Sequence, residues 1–227
     1  MGDRVASFAL GAVAGAAAAA AALLWNTHRQ AMLLQGLDLH LHDPGVPLNV
    51  LDAVRGAEVG EYRKMSVLRR AVEDGQDTVG LIVPRIVYRA DYSVGAYRLK
   101  SRTASGLIDY AIERGFLHMN IERDERYATI LPLLTQQPAL NTWFAAVLLS
   151  QLREQHPSLQ TRSWDDIAAD PDAIAKLYSG YTGAGGAWEQ WAADDQPGPI
   201  ARARLGFDAD EGTYRGIEDP AAAAHQQ

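Results

Sequence analysis

Leu140, Trp143, Phe144, Val147, Leu148 and Leu152 recur at i, i+3, i+4, i+7 and i+8 spacing, behind Pro138 at a first-turn position. A stripe that wide predicts a core helix over 138–155. The chain has 227 residues, room for one domain of ordinary size with appendages.

The neighbouring segments repeat the helical period. Tyr62, Met65, Leu68 and Val72 predict a helix from Gly60 to Asp74, stopped by Gly75, and further helices are expected over 103–114 and 121–134. Ser163 and Asp166 have the spacing of a capping box, predicting a helix that runs on to about Tyr178, with a short helix around Trp188 and Trp191 after the glycines at 180, 183, 185 and 186. The pattern is interrupted at Thr78 to Tyr88, which is rich in Val and Ile, and at Asp91, Tyr92, Ser93 and Gly95, where a short extended or hairpin element is expected. The fold class is therefore mainly α, in α+β form, with a small extended element.

Ahead of this domain, Val5 to Trp25 carries no charge and is long enough to cross a bilayer, though alanine makes it only weakly hydrophobic. Residues 1–30 are read as a membrane anchor, with a cleavable signal peptide or a plain helix as the other readings. Residues 31–55, with Pro44, Gly45 and Pro47, read as a connector holding a strand and a short helix, residues 56–206 as the globular domain, and residues 207–227 as a loose acidic tail.

A formal net charge of -7 with no basic stripe excludes a nucleic-acid surface. The absence of cysteine excludes disulfides, thiolate metal sites and thiol nucleophiles. No glycine-rich loop follows a strand with a Lys-Ser or Lys-Thr pair, so nothing is built to cradle a nucleotide phosphate. Asp38-Leu39-His40-Leu41-His42-Asp43 alternates so as to put both histidines on one side of a strand. It is similar to the first metal-binding strand of amidohydrolases and related phosphoesterases, and supports a minor reading as a metal-dependent hydrolase beside that of a polar connector strand.

Three blocks, in order, carry a broader resemblance. They are Leu68-Arg69-Arg70-Ala71-Val72-Glu73-Asp74, a helix end bearing a carboxylate; Asp91-Tyr92-Ser93-Val94-Gly95-Ala96-Tyr97-Arg98 with the helix start after it; and Pro138-Ala139-Leu140-Asn141 continuing to Ala173-Ile174-Ala175-Lys176-Leu177-Tyr178-Ser179-Gly180-Tyr181. Together they resemble the lysozyme-like superfamily, in particular its lytic transglycosylase branch. Arg98 stands where glutamine is usual in that family and Ser179 where asparagine is.

The resemblance implies a lysozyme-like helical domain that cleaves the glycan strands of peptidoglycan, from the cell membrane with the domain outside the cytoplasm, or as a secreted protein. The partner it implies is those strands; the membrane is expected as a partner from the uncharged run at residues 5–25. It implies no cofactor and no metal. Glu73 becomes the expected general acid, against a cleft wall of Val72, Ile82 and Tyr178 that would raise its pKa, or else is a solvated residue of a helix's last turn. Asp91 is either the second carboxylate across the cleft or the cap of a turn. Ser93, Gly95, Arg98, Tyr178, Tyr181 and Trp188 are the expected substrate-binding residues, with core packing as the other reading for Trp188 and Trp191. With two of its blocks departing from the family pattern, the chain also fits a catalytically silent module that binds envelope glycan or protein.

Overall fold

The computed structural model describes residues 40–72, 93–118, 138–183, 188–194 and 196–217. The Ala-rich run, the 78–88 segment, the helix expected over 121–134, Glu73 and Asp91 lie outside the described residues. Among those described, the protein is mainly helical, with three two-stranded antiparallel pairs. No helix among them is long and apolar enough to cross a membrane.

In chain order the elements are β1 (His40–Leu41), α1 (Leu48–Lys64), β2 (Ser93–Val94), β3 (Leu99–Lys100), α2 (Ser101–Glu113), β4 (Leu117–His118), α3 (Pro138–Gln155), α4 (Trp164–Ala168), α5 (Pro171–Gly183), α6 (Trp188–Ala193), α7 (Pro199–Leu205), β5 (Phe207–Asp208) and β6 (Thr213–Tyr214). The strand pairs are β1 with β4, β2 with β3 and β5 with β6.

The central helix is α3, with the bounds its periodicity predicts. Leu148, Leu149 and Leu152 are fully enclosed, each contributing about 1.5–3 kcal/mol by leaving water. α2, α5 and α1 pack against it. Trp143 lies at the edge of this core and donates its indole N–H to the His42 carbonyl at 2.9 Å, which ties the β1 segment to α3.

Helix α1 begins at Leu48 and buries Val50, Leu51, Ala53, Val54 and Ala57 in the common core. The connector expected over 31–55 holds its expected strand, as β1, and its expected helix, but residues 48–55 are the first part of a core helix that runs on to Lys64. The helix expected to be continuous from Gly60 to Asp74 is interrupted: Met65 takes an extended conformation, and Ser66 accepts the Arg69 N–H at 3.3 Å to start a fresh helical stretch over 67–72.

The capping box at Ser163 is present in both directions. The helix it starts is short, because Pro171 has no N–H to continue the ladder and instead opens α5. Gly180 lies inside α5, where a Cβ would come within 2.6 Å of both Leu152 and Trp191. Only hydrogen fits at that crossing, so the glycine that reads as a breaker permits close helix packing.

The tail expected to be loose from residue 207 is ordered over its first part. β5 and β6 form a hairpin, Tyr214 and Ile217 are buried, and the Tyr214 hydroxyl donates to Asp172 at 2.9 Å.

Candidate functional site

The β2–β3 hairpin, α1, α5 and α7 surround a cavity of about 280 Å³. Glu58, Glu61, Tyr62 and Met65 reach it from α1 and its end, Ser93, Arg98, Leu99 and Lys100 from the hairpin, Tyr181 and Thr182 from α5, and Arg204 from α7.

Glu58 follows from the geometry of α1. It lies on the same face as Val50, Leu51 and Val54, at i+8, i+7 and i+4, and is only 9% exposed. A carboxylate on a buried stripe needs partners, and the Tyr178 hydroxyl donates to Glu58 Oε1 at 2.7 Å while Arg204 Nη1 donates to the same oxygen at 3.1 Å. Arg204 Nη1 also donates to the Tyr178 hydroxyl oxygen at 3.3 Å, closing a triangle. Arg204 Nε stands 3.8 Å from Glu61 Oε2, and Glu61 Oε1 takes Lys64 Nζ at 3.0 Å.

Burial raises the Glu58 pKa above the ordinary 4.5, and the Tyr178 hydrogen bond with the charges of Arg204 and Arg98 offsets only part of that rise. A side chain of this kind holds its proton closer to neutrality than an exposed glutamate does. The Tyr178 hydroxyl is pushed up by burial and by the neighbouring Glu58 charge, so it stays a donor across the ordinary pH range.

The hairpin loop is pinned from two helices. The Tyr97 N–H donates to Asn141 Oδ1 on α3 at 2.9 Å, and the Tyr97 carbonyl accepts the Tyr181 hydroxyl of α5 at 2.6 Å. Tyr178 and Tyr181 stack with ring centroids 6.2 Å apart. Gly95, at φ 73°, accepts the Arg98 N–H at 3.1 Å, and Arg98 itself sits at φ 50°, the only left-handed non-glycine among the described residues.

Of the residues expected from sequence, Ser93, Arg98 and Tyr181 line this cavity, and Tyr178 holds the carboxylate beside it. Gly95 shapes the loop and is not part of the lining. Trp188 opens α6, and its side chain lies outside the described residues. Glu73 and Asp91 also lie outside them, while Val72, expected in the cleft wall, is 53% exposed. Ser179 faces another way: its Oγ donates to the Ala175 carbonyl and accepts the Gly198 N–H at 2.8 Å, anchoring the start of α7. Trp191 is core, donating to the Lys176 carbonyl at 2.8 Å and meeting the His156 ring edge to face.

Glu58, Glu61 and Arg204 were not singled out by the sequence reading. A signal for Glu58 was present, since a lone glutamate continues the apolar stripe of residues 50–57. Expecting the helix to start at Gly60 cut that stripe in two. Arg204 carries no comparable local signal.

The histidines of the 38–43 segment fall elsewhere. His40 pairs with His118 across β1 and β4, and the rings of His42 and His118 meet edge to face at 5.7 Å. Among the described residues no group of three or more His, Cys, Asp or Glu side chains converges as a metal-binding set.

No family model, no curated protein and no solved structure matches the chain.

Proposed function

We propose that this protein cleaves the glycan strands of peptidoglycan, with Glu58 as the general acid. The observation that carries the reading is a buried carboxylate of raised pKa, Glu58, beside a cavity built from the same hairpin and α5 residues that resemble lysozyme-like glycosidases. Glu73, the acid implied by the resemblance alone, lies outside the described residues, and the proposal takes Glu58 for its own described surroundings.

In the proposed reaction the protonated Glu58 donates to the glycosidic oxygen as the bond from that oxygen to the anomeric carbon breaks. The leaving sugar departs as an alcohol, and positive charge develops at the anomeric carbon. Glu58, now ionised, is steadied by Tyr178 and Arg204 through Oε1. The nucleophile, a water molecule or a hydroxyl of the sugar itself, then forms a bond from its oxygen to the anomeric carbon as Glu58 takes its proton, which discharges the carbon and restores the acid. Met65, Leu99, Leu148 and Ile200 give the cavity an apolar component that favours the protonated form of the acid. Residues 5–25 would hold the domain to a membrane or carry it across one.

The test is digestion of purified peptidoglycan by the full chain and by Glu58→Gln, with soluble fragments analysed by mass. The expected result is fragment release that the substitution lowers by about 10²–10⁴-fold. Unchanged release by the variant would remove Glu58 from the role. Sedimentation with the wall and no release by either protein would replace cleavage with glycan binding.

A further inference from the structure

The helical stretch over 67–72 is turned outside in. Positions four apart share a face, so Val67 lies next to Ala71 and Leu68 next to Val72, and that face points to solvent: Val67 is 74% exposed, Leu68 77% and Val72 53%, with Ala71 exposed among them. Arg69 lies off this face and lines the cavity. A helix on a water-facing surface has the reverse order, its apolar side inward and its charges outward. Single exposed apolar side chains are ordinary, but several aliphatic ones sharing one short face mark a surface that something else covers.

The local charge indicates what covers it. Residues 63–72 hold Arg63, Lys64, Arg69 and Arg70 and no acidic residue, in a chain whose net charge is -7. Glu61, which accepts Lys64, precedes this run, and Glu73 and Asp74 follow it, so the positive charge is confined to the run itself. Arg63 and Lys64 are exposed at the end of α1, and Arg70 is half-buried. A second copy seated on the face by a two-fold axis would set these cations against themselves. An anionic lipid surface accepts both parts, the aliphatic side chains at the depth of the headgroups and the cations among the lipid phosphates. The sequence also supplies proximity. Val5 to Trp25 is uncharged and long enough to cross a bilayer, and residues 26–39, which join it to the described domain, reach about 50 Å at most when fully extended. With that run in a bilayer, the domain stays within this distance of the surface.

We propose that the face formed by Val67, Leu68, Ala71 and Val72 docks on an anionic lipid surface, with the neighbouring cations at the headgroups. Met65 and Arg69 belong to the cavity lining, so docking brings the rim of the cavity to the membrane. The docking needs no catalysis and stands apart from the glycan-cleaving reading.

The test uses the full chain, and it reads the face itself so that insertion of residues 5–25 does not mask the result. The chain has no cysteine, so Ala71→Cys carries a polarity-sensitive fluorophore at one site. The labelled protein is mixed with phosphatidylcholine vesicles made with or without phosphatidylglycerol. Emission from position 71 is expected to shift to the blue on the anionic vesicles, with a docked-to-undocked ratio at least about fivefold above that on neutral ones, and the margin should shrink as salt is added. The same label on Thr161→Cys, exposed in the loop after α3, should stay water-like and reports what the dye and the anchor do by themselves. Val67→Ser combined with Leu68→Ser should abolish the shift at position 71, and since both side chains are exposed the melting temperature should hold. Arg63→Gln should lower the ratio on anionic vesicles alone. An unshifted label, equal shifts at positions 71 and 161, or equal shifts on the two kinds of vesicle would overturn the proposal. A shift that appears without lipid as the protein concentration is raised would overturn it in favour of a second copy.

Discussion

The Tyr178 hydroxyl on α5 donates a 2.7 Å hydrogen bond to Glu58 Oε1 on α1, joining residues 120 positions apart at the edge of one cavity. The bond favours the ionised form of the glutamate and so opposes the effect of burial. Tyr178→Phe should therefore raise the Glu58 pKa further. Under the proposed reaction the alkaline limb of glycan release is expected to move to higher pH, and the fold to lose about 0.5–1.5 kcal/mol. A limb that moved to lower pH would contradict this arrangement.

Stability should report on Glu58 independently of activity. Its folded pKa lies above the ordinary 4.5, so the folded state binds the proton more tightly than the unfolded chain does. Its contribution is then fully present below about pH 4.5 and is lost as pH rises through the folded value. Glu58→Gln lacks this dependence. The melting temperature of the variant relative to the native protein should rise between pH 4 and pH 8, and a flat difference would show that burial does not dominate the site.

At the α5 crossing, Gly180→Ala should destabilise the protein by about 1–3 kcal/mol, since the new methyl group meets Leu152 and Trp191 at 2.6 Å. Denaturant unfolding measures it. A neutral effect would mean that α5 and α6 shift apart easily.

Asn141 is buried and accepts the Tyr97 N–H. Asn141→Leu leaves that donor without its acceptor, at a cost of about 1–3 kcal/mol, and frees one side of the hairpin loop. Amide exchange at Tyr97 and Arg98 should quicken more than exchange within α2. Uniform quickening would point to global destabilisation alone.

The parts of the fold legible in the sequence are those set by near neighbours. α3 follows from a repeat of apolar side chains, the Ser163 cap from two residues three apart, and the hairpin from Ser93, Gly95 and the turn they make. The misread parts have a common cause. Pro44, Gly45 and Pro47 suggest a connector, and the helix after them carries only a modest apolar face, yet packing against α3, α5 and α7 makes it core. The acidic composition after residue 207 argues for a loose tail, but Tyr214 and Ile217 find cover on the domain.

The candidate site divides in the same way. Ser93, Arg98, Tyr178 and Tyr181 are legible only through the resemblance to lysozyme-like glycosidases, because each lies in one of the blocks that carry it. The sequence by itself determined a helical domain with α3 in its core and the residues of its turns. Only the tertiary structure decided that Glu58 is buried with a raised pKa, because its surroundings are set by Tyr178 and Arg204, 120 and 146 positions away. A side chain's burial and charge environment depend on packing between distant elements, and no local spacing encodes them.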